Sequence, residues 1–154
     1  MIYQKEDLRL LDDRYENEFA LSFLTHEEPR EINHILEAKT ESIFSDYWEK
    51  QYNLVILVPN FMLAKLGLKS SLLKKNNSFT LISIQKENDF DKIISILREY
   101  EYVNGFNAFI MKSLDNLNFG LPIDSQERIK ITNLINNEII VFEFDVEEVI
   151  LLMF

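Results

Sequence analysis

The residues best suited to chemistry are two histidines, His26 and His34, in a chain with no cysteine. Any metal or acid–base centre must therefore be built from carboxylates around an imidazole. A helical zinc site of the H-E-x-x-H type needs its ligands about four residues apart on one face. The run here is His26-Glu27-Glu28-Pro29-Arg30-Glu31-Ile32-Asn33-His34, with a proline inside it. On a helix, Glu31 with His34 or His34 with Glu37 would share a face, which is half of the paired Glu-x-x-His arrangement of di-iron bundles. The second half has no counterpart in the sequence. The histidines are expected to face solvent, and no metal site is expected.

Other catalytic groups are equally isolated. Ser22, Ser45, Ser70, Ser71 and Ser125 stand in no Gly-x-Ser-x-Gly setting, the turn that exposes a serine nucleophile. Gly67, Gly105 and Gly120 are 38 and 15 residues apart, whereas a phosphate-cradling loop needs glycines clustered so that the backbone can approach the anion. Adjacent carboxylates at Asp12-Asp13, Glu27-Glu28 and Glu147-Glu148 are unavoidable in a chain with 26 of them, and a solvated face accounts for them. Trp48, one helical turn from Phe44, reads as core. The expectation is a protein without catalytic residues or cofactor, not an enzyme.

The elements that would position any site follow from composition and periodicity. With 154 residues, 47% hydrophobic, 18 Ile and 19 aromatics, the chain has ample apolar surface for one globular domain, residues 1–154. Three Gly and three Pro exclude collagen-like and linker-rich classes. Absence of Cys excludes disulfide scaffolds, thiolate metal sites and thiol nucleophiles. Met1-Ile2-Tyr3-Gln4-Lys5-Glu6-Asp7 places carboxylates where a secretory leader needs a basic segment, and the most apolar window, 54–64, is broken by Pro59 and Asn60, well short of the ~20 residues of a membrane span. A cytoplasmic protein is expected, and its Asn, Lys and Ile content suits an AT-rich bacterial or phage genome.

Phe19 to Leu24 alternates as a half-buried strand would, with helix as the alternative. Beyond Pro29, the spacing of Ile32, Ile35, Leu36, Ile43, Phe44, Tyr47 and Trp48 predicts one long helix ending near Gln51. Leu54-Val55-Ile56-Leu57-Val58 predicts a central strand buried on both faces. Asn60 begins a helix through Met62, Leu63 and Leu66, extendable to Leu72 and Leu73, with Gly67 able to end its first part. A turn at Asn76-Asn77-Ser78 leads to a strand, Phe79 to Ile84. Asn88 or Asp89 then caps a helix carrying Phe90, Ile93, Ile94, Leu97 and Tyr100, closed by Asn104-Gly105. Phe106, Phe109, Ile110, Leu114 and Leu117 suggest a short helix within 106–119. The alternating stretches 128–134 and 138–146, joined at Asn136-Asn137, read as a C-terminal hairpin. The apolar end, Val149 to Phe154, must be covered by the fold or by a partner. Without a regular βαβα repeat, the fold class is α+β, a mainly antiparallel sheet packed against helices.

Charge is distributed more tellingly than its total. The net charge is -10, from 26 acids against 16 bases. Residues 1–50 carry -7, residues 87–154 carry -8, and residues 51–86 hold no carboxylate but five lysines, Lys65, Lys69, Lys74, Lys75 and Lys86. The lysines read as a solvated face offset by acids nearby in the fold. The excess negative charge disfavours nucleic acid and anionic membranes as partners and favours a basic protein. Two acidic clusters are the candidate partner-binding surface: Asp12, Asp13, Glu16 and Glu18, and Glu143, Asp145, Glu147 and Glu148, with Tyr3 and Tyr15 as candidate anchors.

In profile alone, and with no motif to carry it, the chain resembles bacterial toxin-immunity proteins and other proteinaceous inhibitors. The expectation is a small acidic module that neutralises a basic partner, such as an immunity protein or antitoxin that inhibits a toxin, a nuclease for example, by direct binding. Two alternatives are a phage or host-defence DNA mimic, which needs carboxylates at phosphate spacing over a long surface, and an enzyme whose carboxylate site is dispersed in sequence. Oligomeric state is left open.

Overall fold

Five consecutive apolar residues suit a strand covered on both faces, and Leu54 to Val58 form the middle of strand β3 (Asn53–Pro59), all of them buried. The structure, a computed structural model, describes residues 6–7, 30–35, 39–144 and 148–154. Among these, β3 lies between β5 (Phe79–Ile84) and β6 (Asn107–Met111). Beyond β5 is β4 (Ser70–Lys75). Beyond β6 come β9 (Glu138–Glu143), β10 (Glu148–Met153), β2 (Glu31–Ile35) and β1 (Glu6–Asp7), which completes an eight-stranded sheet. Every neighbouring pair in it is antiparallel. With its helices the fold is mixed α+β, as the sequence indicates.

Strand alternation sends Leu54, Ile56 and Val58 of β3 to one face and Val55 and Leu57 to the other. On the first face lie α1 (Thr40–Glu49) and α3 (Phe90–Tyr100), whose Ile43, Phe44, Tyr47, Ile93, Ile94 and Leu97 share a core with Ile110, Ile140 and Leu151. The short α2 (Leu63–Leu66), entered through a 3-10 turn at Asn60–Met62, adds Met62 and Leu66. On the second face, a separate ribbon of β7 (Asn118–Gly120) and β8 (Lys130–Thr132) brings Ile131, with neighbouring Ile129 and Leu134, over Leu57, Leu81, Phe109, Val141 and Ile150. Among the described residues no helix is long and apolar enough to cross a membrane.

The apolar C-terminus is sheet core. β10 pairs with β2 on one side and β9 on the other, and Val149 to Leu152 are buried. The chain itself therefore covers this segment.

Several local expectations are corrected. Among the described residues of the expected 30–51 helix, Thr40–Glu49 is helical and Glu31–Ile35 is a strand. The spacing of Ile32 and Ile35 fits a helix, but the edge of β10 needs a backbone partner, and tertiary pairing overrides a weak local preference. Residues 106–119 form β6 and lead to β7 through Asn116 (φ 60°) rather than forming a helix. Phe109 and Ile110 belong to opposite faces and both are buried, so a strand covered on both sides imitated a three–four spacing. The expected hairpin partners do not pair: β8 pairs with β7, and β9 with β10 and β6. Asn136 does adopt φ 61°, but the Asn136 and Asn137 backbone bonds reach Phe154.

The helix after Asn60 stops at Gly67 (φ 62°), and 70–75 becomes the edge strand β4. A register irregularity between Leu72 and Lys74, and the exposed Lys74 and Lys75, are features that keep a sheet edge from pairing further. The strand expected at Phe19 to Leu24 lies outside the described residues.

Candidate functional site

Helix α3 ends where the chain must return to the sheet. Its start is fixed by Asp89, whose Oδ1 accepts the N–H groups of Asp91 (2.8 Å) and Lys92 (3.3 Å). Its far end passes into a turn, residues 101–105, that closes at Gly105 with φ 85°, a conformation glycine adopts without steric cost. Buried Phe106 then leads to half-buried Asn107, the first residue of β6.

A second segment, 122–129, faces this turn and is braced by its own side chains. Asp124 Oδ1 accepts the N–H groups of Gln126 and Glu127, and Glu127 Oε2 accepts that of Ile123 at 2.9 Å. Asn76 Nδ2 donates to Pro122 O at 2.7 Å, while Asn76 Oδ1 accepts from Ser78 and Phe79 N–H. One asparagine therefore closes the β4–β5 turn and holds the 122–129 loop.

Between turn and loop is a cleft of about 250 Å³, lined by Glu101, Tyr102, Asn104, Asn107, Gln126, Glu127 and Arg128 among others. A smaller recess of about 90 Å³, with Leu97, Ala108, Phe142 and Phe144 in its wall, shares Glu101, Phe106 and Asn107 with it. Glu101 joins the two, its Oε1 accepting the Phe144 N–H at 2.7 Å and so tying the end of α3 to the end of β9. Tyr102 and Ile123, in the turn and the loop respectively, are large side chains left 65% and 71% exposed.

Glu143 is the last residue of β9 and Glu148 the first of β10, and the two are Cα partners across the strand pair. They stand at the end of the sheet where Phe142 and Phe144 enter the recess. Within the described residues β9 ends at Glu143. Asp145 and Glu147 lie outside the described residues. So do Asp12, Asp13, Glu16 and Glu18, with Tyr3, Tyr15 and His26. His34 is in β2 opposite Glu6 and Ile150, where the helical spacing to Glu31 no longer applies; Glu37 lies outside the described residues. Among the described residues, no three His, Asp or Glu are gathered as a metal ion would require.

Strand order separates the charges of the sheet. The half made of β1, β2, β10 and β9 carries Glu6, Asp7, Glu31, Glu138, Glu143 and Glu148, with no Lys or Arg. The half made of β6, β3, β5 and β4 has no carboxylate and carries Lys74 and Lys75 on its outer strand. One short segment from each acidic terminal portion, Glu31–Ile35 and Val149–Met153, meets the other where β2 pairs with β10.

The central lysines are not all offset by acids. Lys74 Nζ donates to Phe119 O at 2.5 Å. Lys86 Nζ donates to the carbonyls of Trp48 (3.0 Å) and Tyr52 and sits 3.5 Å from the Trp48 ring centroid. It thus caps the C-terminus of α1 with a cation. Burial nevertheless lowers its pKa from 10.5 to about 8. Between those values the unfolded chain holds the proton that the native chain has lost, so this residue's contribution raises stability as pH climbs from 8 toward 10.5. Urea midpoints at pH 7 and pH 10 should show the parent gaining on Lys86→Met at the higher pH; an unchanged difference would count against a desolvated ammonium.

The cleft was not evident in the sequence. Asn104-Gly105 and the loop after Gly120 stand out there as turns, but nothing in their spacing says that they are neighbours. No protein-family model, curated protein or solved structure matches this chain, so its function must be read from its own charge, topology and surface.

Proposed function

We propose that this chain is a small acidic protein-binding module that neutralises a basic protein partner in the cytoplasm, as an immunity protein or antitoxin of a bacterial toxin would, a nuclease domain being the leading example. The observation that carries this reading is the charge separation across the sheet. Pairing of β2 with β10 groups the strands that carry Glu6, Asp7, Glu31, Glu138, Glu143 and Glu148, while the lysines of β4 are on the other edge of the sheet. A surface of one sign speeds encounter with an opposite partner and fixes its orientation, contributing more to rate and specificity than to raw affinity.

DNA mimicry is less well supported. Lys65, Lys69, Lys74 and Lys75 are exposed rather than covered by the acidic half, which interrupts any long run of phosphate-like charge.

The test is to mix the full chain with a panel of basic toxin and nuclease domains at increasing salt. A complex that weakens steeply with salt and abolishes the domain's activity is expected. If no member forms such a complex, the reading is overturned.

A further inference from the structure

Resting on the reading of the acidic surface as a docking site, we propose that the basic partner inserts an arginine side chain into the cleft between residues 101–107 and 122–129. Its size comes first. At about 250 Å³ it is at the small end of the roughly 300–1,000 Å³ typical of small-molecule and cofactor sites, with room for a single side chain.

Its lining selects the charge. Glu101 and Glu127 outnumber Arg128, the one cation among the described lining residues, and Asn104, Asn107 and Gln126 add amides, each with an oxygen able to accept. A guanidinium has five N–H donors and no acceptor, so it matches a wall of carboxylate and amide oxygens. An anion entering the same space would meet two carboxylates. An apolar segment would strip water from those groups without replacing their hydrogen bonds.

The rim supplies the anchors. Tyr102 and Ile123 are two of only five large hydrophobic side chains strongly exposed among the described residues, and they belong to the two segments that form the cleft. A tyrosine ring beside carboxylates offers a stacking face for the planar guanidinium, and exposed aromatics at the centre of a contact are typical anchors. The walls are set before binding. The Asp124, Glu127 and Asn76 hydrogen bonds hold the loop, and the Glu101 bond to Phe144 ties the turn to the sheet. Little ordering entropy is therefore lost on association.

The experiment titrates the 15N-labelled full chain with a capped hexa-arginine peptide at low salt and follows amide shifts. Shifts concentrated in 101–107 and 122–129 are expected. Tyr102→Ala and Glu127→Gln should each weaken binding at least about fivefold, with dispersed spectra showing that both variants fold. Glu127→Gln keeps an acceptor for the Ile123 N–H while removing the charge. Salt-sensitive binding that maps elsewhere, on Glu143 and Glu148 for example, and ignores both substitutions overturns the arginine site but leaves the acidic docking surface standing. Absence of salt-sensitive binding anywhere overturns both.

Discussion

A chain lacking Val149 to Phe154 is expected not to fold. The deletion removes nearly all of β10, the strand that joins β2 to β9. Val149, Ile150, Leu151 and Leu152 are each at most 1% exposed, alternating between the helix-covered and ribbon-covered faces. Burial of each such side chain is worth about 1.5–3 kcal/mol. Together they approach the roughly 5–15 kcal/mol by which a whole domain is stable, before the lost strand pairing is counted. The truncated chain should lose dispersed amide signals and its cooperative urea transition. If instead it stays folded with the parent's oligomeric state, the segment is neither core nor interface, and the strand order β2-β10-β9 is wrong.

Gly105→Ala is the single substitution with the largest expected effect. The residue has φ 85°, and a Cβ built on it would stand 2.5 Å from Phe79 Cε1 and 3.1 Å from Cζ. Left-handed backbone at a non-glycine residue costs of order 1–3 kcal/mol, and forcing atoms into a filled core adds about 1–3 kcal/mol. Phe79 cannot swing clear, because it is 4% exposed and packed in the second-face core. A loss of about 2–6 kcal/mol is expected, read as a fall in the urea midpoint. The same change should displace Glu101, Tyr102 and Asn104, and so weaken any ligand of the cleft. A loss below about 0.5 kcal/mol, the range of ordinary surface changes, would contradict the close approach of the turn to Phe79.

What could be read from the sequence was local. β3 announced itself because both faces of the sheet are covered at that strand, so every side chain from Leu54 to Val58 had to be apolar. Helix α3 was legible from its Asp89 cap and the spacing of Ile93, Ile94 and Leu97, and Gly67, Gly105 and Asn136 were recognisable as residues tolerant of positive φ. Strands β2, β4 and β6 were not legible. Each is stabilised by partners far away in sequence, and the apolar spacing of β2 and β6 is compatible with helix. β4 is mostly exposed and shows no apolar alternation at all.

The candidate site follows the same division. That the sequence is acidic in both terminal portions was plain from the residues, but the grouping of the acid-bearing strands depended on β2 pairing with β10, a contact between segments more than a hundred residues apart. The cleft needed a second long-range link, the bond from Asn76 to Pro122. The exposure of Tyr102 and Ile123 could be known only from the fold.

The most direct test of the acidic docking surface compares two double variants for their association rate with the tightest-binding basic domain, measured by stopped flow across a salt series. Glu143→Gln with Glu148→Gln neutralises the facing pair of the β9–β10 connection; Lys74→Gln with Lys75→Gln neutralises the opposite edge. The acidic pair is expected to slow association several-fold and flatten its salt dependence, while the lysine pair leaves the rate unchanged or raises it. Slower association from the lysine pair, with no effect from the acidic one, would contradict a basic partner docking on the acidic half.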